Sequence, residues 1–269
     1  MPKLTIITVN YNNEVGLRRT LESVFSQSDP SFETIVIDGN STDGSQEVLQ
    51  SFDAQLTKWS SEPDQGVYDA MNKGIAQASG EYVLFLNSGD HFYAEDVCEK
   101  AMPHLEGAEI IAFDVQLVAA DFQRKKTHPN TMTFGYLYED TLAHQSTVIK
   151  RTLLADLGGY DTTLKIASDW KFFLKAFVEH KVSYKKVPLC LSTNYLDGMS
   201  CTPEGVNTRK EERRRTLALE YSLFLKDYQR LELFQRTRFQ DLEAVERSKV
   251  GRKLNSAWLR MIAFLFGKK

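Results

Sequence analysis

Residues 4–86 switch repeatedly between short apolar runs and longer amphipathic segments, and that alternation rules out most folds. "LTIITVNY", "ETIVIDG" and "EYVLFLN" have no polar face, as expected of strands covered on both sides. "LTKWSSE" reads as a further short strand. Between the strands, residues 14–27 place Leu17, Leu21, Val24 and Phe25 at helical spacing. "NSTDGSQEVLQSF" opens on a cap-like Ser/Thr/Asp cluster, and residues 67–79 carry a third helical pattern, with Gly80 suited to the position after its end. Strand, helix, strand, helix at this spacing predicts an α/β fold: an open, mixed and mostly parallel sheet flanked by helices.

In such sheets ligands bind beyond the carboxyl ends of the strands. Three polar clusters fall there: Asn10-Tyr11-Asn12-Asn13, Asp38-Gly39-Asn40-Ser41 and Asn87-Ser88-Gly89-Asp90. A strand can end in a polar turn for purely structural reasons. Three clusters on one edge, two of them carrying an Asp, instead point to a site. Asp90 either caps its turn or ligates a hard divalent cation. Mg²⁺ and Mn²⁺ take oxygen donors and often need only one or two protein carboxylates, phosphate and water completing the shell. Gly89 would let a diphosphate approach the backbone.

From about residue 109 to 150 the alternation gives way to mixed strands and loops. Residues 166–180, "IASDWKFFLKAFVEH", predict an amphipathic helix entered through Ser168 and Asp169. "VSYKKVPLCLSTNYL" reads as one or two strands. Long charged helices are expected over about 204–248, with Gly251 separating off a last short helix. The expected organisation is a domain over 1–200 and a basic helical extension over 201–269. Residues 207–269 hold 16 Lys/Arg against 8 Asp/Glu, and the rest of the chain 17 against 28. An acidic body thus carries a basic tail suited to an anionic surface.

The segments "TIITVNYNN", "IVIDGNSTDGS", "GVYDAMNKGIAQASGEYVLFLNSGD" and "SDWKFFLKA" together resemble the family 2 glycosyltransferases of the GT-A fold. The likeness runs over roughly residues 3–195 and is nearest to bacterial enzymes of capsule, colanic-acid-like and O-antigen polysaccharide synthesis. It implies a Rossmann-like GT-A sheet and inverting transfer of a sugar from a nucleoside diphosphate donor, with Mn²⁺ or Mg²⁺ as cofactor. UDP is the commonest nucleotide. Thr8, Asn10 and Tyr11 lie where the family's first loop wraps the nucleoside, and Asp38 where an acid contacts the base. Asp69 and Asn72 correspond to donor-pocket residues, and Asn87 to Asp90 occupies the DxD position. Asp90 takes the metal acid's place, and Gly89 stands where the family has a ribose-binding acid, so Asn87 is the candidate substitute. Ser88 and Gly89 complete the donor turn. His144, in "AHQST", falls near the diphosphate as a donor or metal contact. Asp169 takes the catalytic base's place; by itself a first-turn Asp also suits the helix dipole. Trp170 either walls an acceptor sugar or belongs to the core, and Gly158-Gly159-Tyr160-Asp161 is either an acceptor-side loop or a plain turn.

The C-terminal "WLRMIAFLF", flanked by Arg252, Lys253, Lys268 and Lys269, has the aromatic and basic makeup of a helix lying in a membrane interface. A polyprenyl-diphosphate-linked saccharide acceptor would be presented there. The competing use of the same face is a homodimer contact. No stretch reaches the ~18 apolar residues of a membrane span, the N-terminus lacks a signal-peptide pattern, and Cys98, Cys190 and Cys201 have no metal-ligand spacing. A cytoplasmic protein, peripheral on the inner membrane face, is expected. Other readings fit less well. A sugar nucleotidyltransferase would carry a Gly-rich basic loop after the first strand, a dinucleotide oxidoreductase GxGxxG, and a nucleic-acid binder a recognised reader motif. A catalytically inactive nucleotide-sugar-binding subunit stays open.

Overall fold

A computed structural model describes residues 1–235 and 237–267; Arg236, Lys268 and Lys269, all part of the expected basic tail, lie outside the described residues. The chain divides into two compact units, Met1–Arg213 and Arg214–Lys269. The strands are β1 (Leu4–Asn10), β2 (Glu33–Asp38), β3 (Lys58–Ser61), β4 (Tyr82–Phe85), β5 (His91–Phe92), β6 (Ile110–Val118), β7 (Gln123–Lys126), β8 (Thr147–Lys150) and β9 (Tyr184–Tyr195). They form one sheet in the order β3-β2-β1-β4-β8-β6-β9-β5, with β7 paired to β6. Pairing is parallel through β3-β2-β1-β4 and antiparallel where β8 joins β4 and β6, so the mixed α/β sheet is as expected. β6 and β9 are again parallel, across a register shift at Asp114.

The helices of the first unit that matter for the site are α1 (Glu14–Phe25), α2 (Ser45–Phe52), α3 (Val67–Gln77), α4 (Val97–Ala101), α5 (Phe134–Glu139), α6 (Arg151–Asp156) and α7 (Ser168–Val178). β1, β2 and β4 are buried throughout because helices cover both faces. On one face Leu17 and Leu21 of α1 and Val48 and Leu49 of α2 pack with Val36. On the other, Gly74 brings α3 so close to β1 that a Cβ there would sit 2.5 Å from Ile7 Cγ2. That contact sets how deeply α3 rides on the sheet, and α3 in turn carries one wall of the site.

Several local expectations need correction. Gly80 is not a left-handed helix terminator: α3 ends at Ala78 in extended backbone. Gly80 is glycine because a Cβ would lie 2.8 Å from Thr5 N and 2.9 Å from Leu4 C. The tail helix begins before Gly251, at Lys249. After α8 (Pro203–Glu220), α9 (Ser222–Gln235) and α10 (Thr237–Glu246), helix α11 (Lys249–Leu265) is opened by Ser248, whose hydroxyl accepts from Gly251 N–H. Glycine suits the first turn, where a Cβ would fall 2.6 Å from that Ser248 Oγ. Ser168 does not cap α7 either; its hydroxyl is buried and unpartnered.

Candidate active site

The polar clusters converge at the carboxyl edge of β1, β2 and β4. Asp38 is fully buried and works from beneath. Its Oδ1 accepts from Asn10 Nδ2 at 2.7 Å and Ser41 Oγ at 2.6 Å. Its Oδ2 accepts from Ser41 N–H and from Ser61 Oγ at 2.6 Å. With both oxygens engaged by its own chain, Asp38 holds the loops after β1, β2 and β3 together and leaves surface contacts to what it holds. Asn12 and Asn40 adopt left-handed backbone, with φ of 46° and 63°, which Asn tolerates better than most residues. Above them Tyr11 is exposed and lines a cavity of about 840 Å³ with Gly39, Asn40, Asp64 and Gly66. A Cβ on Gly39 would meet Asp64 Oδ2 at 2.6 Å and Tyr11 Cδ2 at 3.1 Å, so glycine is what lets those two side chains close on the same spot.

Three expected donor contacts are placed elsewhere. Thr8 is fully buried and its hydroxyl donates to Leu86 O, tying β1 to the end of β4. Asp69 accepts from Gln65 N–H and pairs with Lys73 one turn on, bracing the loop before α3. Asn72 spends its whole amide on one backbone: Nδ2 donates to Tyr160 O, and Tyr160 N–H donates to Oδ1, both at 2.8 Å. It therefore clips α3 to the 158–161 loop, where Gly159 has φ +71° and a Cβ would collide with the Asn72 amide. These residues shape the cavity walls from behind, and sequence spacing alone does not separate a lining side chain from a brace.

The Asn87–Asp90 turn is closed by Asp90 N–H donating to Asn87 O, with Gly89 at φ +105° in its third position, as a type II turn requires. Thr20 of α1 holds it. The Thr20 hydroxyl donates to Asp90 O at 2.6 Å and accepts from Gly89 N–H at 3.0 Å. Asn13, which caps α1, donates to Ser88 O. The turn presents Ser88 and Gly89 to a second cavity shared with Arg19, Asp90, His144 and Asn194. Asp90 is 8% exposed and accepts from Asn194 Nδ2 at 2.8 Å. Burial pushes its carboxyl up to about 6, against the opposing pull of His144 and of the Asn194 bond.

His144 joins this turn to Asp169. Its Nδ1 lies 3.2 Å from Asp169 Oδ2 and its Nε2 3.4 Å from Asn87 Nδ2. An ionised carboxylate only accepts, so Nδ1 carries the proton and, in the neutral ring, the Nε2 lone pair faces Asn87 Nδ2 in the cavity shared with Asp90. Burial works to lower His144, but the hydrogen bond and charge of Asp169 outweigh it and raise the group above its ordinary range. Burial likewise works to raise Asp169, and the His144 bond, the Trp170 N–H and the Tyr68 hydroxyl overcome it and hold the carboxyl low. Asp169 is thus an ionised, proton-accepting group at the first turn of α7, with Tyr68 OH donating to its Oδ1 at 3.1 Å and to Ile166 O at 2.6 Å. Trp170 is 2% exposed, donates to Leu137 O and backs the cavity that Asp169 lines.

Among the described residues no group of three or more His, Cys, Asp or Glu side chains is placed to hold a metal. The donor set nonetheless fits a cation that keeps most of its shell for phosphate and water. Asp90 is a buried acid short of positive charge, the His144 Nε2 lone pair shares its cavity, and Asn87 Oδ1 is buried with no hydrogen-bond partner. Such an orphaned acceptor signals a group it is meant to meet.

Sequence reasoning missed four contributors. Asn194, Tyr68 and Thr20 sit in ordinary strand or helix patterns, with no local mark of their partners. Glu212, on α8, accepts three successive N–H groups, from Lys165 at 2.6 Å, Ile166 at 3.1 Å and Ala167 at 2.9 Å. It does for the start of α7 what Ser168 does not.

The sequence profile described as glycosyl transferase family 2 matches residues 5–172. The chain belongs to glycosyl transferase family 2. Among its relatives, an uncharacterized glycosyltransferase of Mycobacterium tuberculosis is 38% identical over 181 residues, 65% of this chain and 69% of that one. The Staphylococcus aureus TarS fragment solved in complex with UDP-GlcNAc superposes with a TM-score of 0.61 at 20% identity, covering 72% of this chain and 58% of its own. The mannosyltransferase PcManGT of Pyrobaculum calidifontis, solved with GDP-Man and Mn²⁺, gives 0.55 at 21%, covering 72% and 56%. The GT-A fold of this family 2 member is therefore shared with both.

Proposed function

We propose that this family 2 protein moves a sugar from a nucleoside diphosphate donor, a UDP-sugar, to a hydroxyl of a lipid-linked saccharide in bacterial surface polysaccharide synthesis, with inversion at the anomeric carbon. One observation carries the reading: His144 links the turn that carries the buried Asp90, through Asn87, to the ionised Asp169 at the start of α7. In this reading the nucleoside lies against Tyr11 and Gly39, held by the loops that Asp38 and Asn10 brace. Asn87, Ser88 and Gly89 face the diphosphate. Asp90 and His144, with Asn87 Oδ1 beside them, would hold Mn²⁺ or Mg²⁺. Bound there, the cation supplies Lewis-acid stabilisation of the negative charge growing on the departing diphosphate.

Asp169 is the general base. Its depressed carboxyl is ionised at neutral pH, and Tyr68 and His144 fix its orientation. It takes the acceptor hydroxyl's proton as oxygen attacks from the face opposite the diphosphate, a contribution of about 10²–10⁴-fold. No covalent intermediate on the enzyme is required. TarS with UDP-GlcNAc and PcManGT with GDP-Man and Mn²⁺ support a nucleotide-sugar donor and a divalent cation for this fold.

The basic tail gives the proposed membrane partner. Among the described residues no helix is long and apolar enough to cross a membrane. Helix α11 contains no acid, exposes Leu254, Trp258, Met261 and Leu265, and sets Arg252, Lys253 and Arg260 beside them. Such a helix suits an anionic interface at the inner membrane face, where a polyprenyl-diphosphate-linked acceptor resides. The test of the catalytic reading is slow donor hydrolysis with Mn²⁺ across a panel of nucleotide sugars. Release of nucleoside diphosphate by the wild type, abolished by Asp90→Ala, supports it; a wild type that neither binds nor hydrolyses any member refutes it.

A further inference from the structure

The cavity that holds Asp169 extends along α8 to a wall with more positive charge than its own acids neutralise. Lys126, Lys165, Arg209 and Arg213 line it, against Asp140 and Asp169. Two of the four cations are already engaged. Lys126 pairs with Asp140 at 2.7 Å, and Arg213 donates to the carbonyls of Leu137, Tyr138 and Asp140 while its guanidinium lies 4.7 Å from the Trp170 ring centre. Among the described residues the side chains of Lys165 and Arg209 have neither a hydrogen-bond nor an ion-pair partner. The neighbouring Glu212 spends its hydrogen-bonding oxygens on three backbone N–H groups, and its charge offsets only part of the four cations.

We propose that Arg209 and Lys165 bind a phosphate ester carried by the acceptor, in the same cavity as the base that deprotonates it. Arg209 and Arg213 stand one turn apart on α8, a like-charge spacing that works against a helix and that a bound anion would relieve. The crowding is felt: burial lowers Arg213, and the charge of Arg209 lowers it further. The rest of the wall is apolar, with Met71, Leu117, Leu142 and Leu196. Arg209 is half-buried against this apolar wall and Lys165 lies exposed beside it, so an anion entering the cavity would meet both. The planar fork of Arg209 matches two phosphate oxygens, and the flexible ammonium of Lys165 adds a point charge. This inference rests on the proposed function for the identity of Asp169 as base and for a phosphate-bearing acceptor, and it assigns the residues that would read that phosphate.

Isothermal titration of octyl phosphate into the full chain tests it, run both with and without saturating UDP and Mn²⁺. Octyl phosphate is expected to bind the wild type in both conditions. Arg209→Gln and Lys165→Gln should each weaken it about tenfold or more, the loss of one charge-assisted contact, while UDP still binds both variants. Three results overturn the proposal: no octyl phosphate binding by the wild type, equal binding by Arg209→Gln, or octanoate binding as tightly as octyl phosphate. The UDP titration reads the donor assignment separately, so its failure counts against the proposed function and leaves the octyl phosphate result standing.

Discussion

Replacing Asp90 by Asn should stabilise the metal-free protein and remove metal binding. Burial holds the Asp90 carboxyl at about 6, against 3.8 for the unperturbed group. A carboxyl raised on folding releases its proton more readily in the unfolded chain. The stability it contributes is therefore complete below about pH 4, declines as pH rises toward 6, and stays lost above. A separation of about 2 pH units at 1.36 kcal/mol each gives about 3 kcal/mol at pH 8. Asn keeps the shape and its Oδ1 still accepts from Asn194 Nδ2, so the variant escapes this cost without opening a cavity. Urea unfolding in EDTA, wild type against Asp90→Asn, should show the variant more stable by about 3 kcal/mol at pH 8 and indistinguishable near pH 4. Adding Mn²⁺ and UDP should reverse the order, because only the wild type gains from the cation. A variant less stable than the wild type in EDTA at pH 8, or a difference that ignores pH, would refute the reasoning.

Mn²⁺ affinity of the wild type should fall steadily as pH drops from 8 to 5, as protons compete first for the raised His144 and then, near 6, also for Asp90; a flat calorimetric profile between pH 5 and 8 contradicts that. Tyr68→Phe removes the hydroxyl that orients Asp169 and satisfies Ile166 O, so kcat should drop about tenfold with the donor KM unchanged. A matching loss of donor affinity would place Tyr68 in the donor site instead. Gly80→Ala should cost about 1–3 kcal/mol in urea, since a Cβ at 2.8 Å from Thr5 N overpacks backbone against backbone. A neutral result would mean β1 yields there.

The Asn87–Asp90 turn illustrates how little of a site a recognisable motif contains. "NSGD" shows a strand ending in one acid, and the resemblance to family 2 gives that acid a role. Nothing in the four residues reveals that Thr20 clamps the turn or that Asn194 meets the acid. The same holds for the expected donor contacts. Asp69 and Asn72 occupy the expected helix, yet their side chains brace loops, because a helix presents neighbouring positions to different surroundings and only packing assigns each one.

The sequence by itself determined the alternating elements, the edge on which polar residues gather and the acidic identity of positions 90 and 169. All three are local, written in hydrophobic period and in the residues that end each run. Tertiary structure alone decided the partners. Asn194 is 104 residues from Asp90, and Tyr68 is 101 from Asp169. Bonds over such spans depend on how crossovers close and how deeply α3 rides on β1, quantities fixed by the packing of the whole sheet rather than by any stretch of chain.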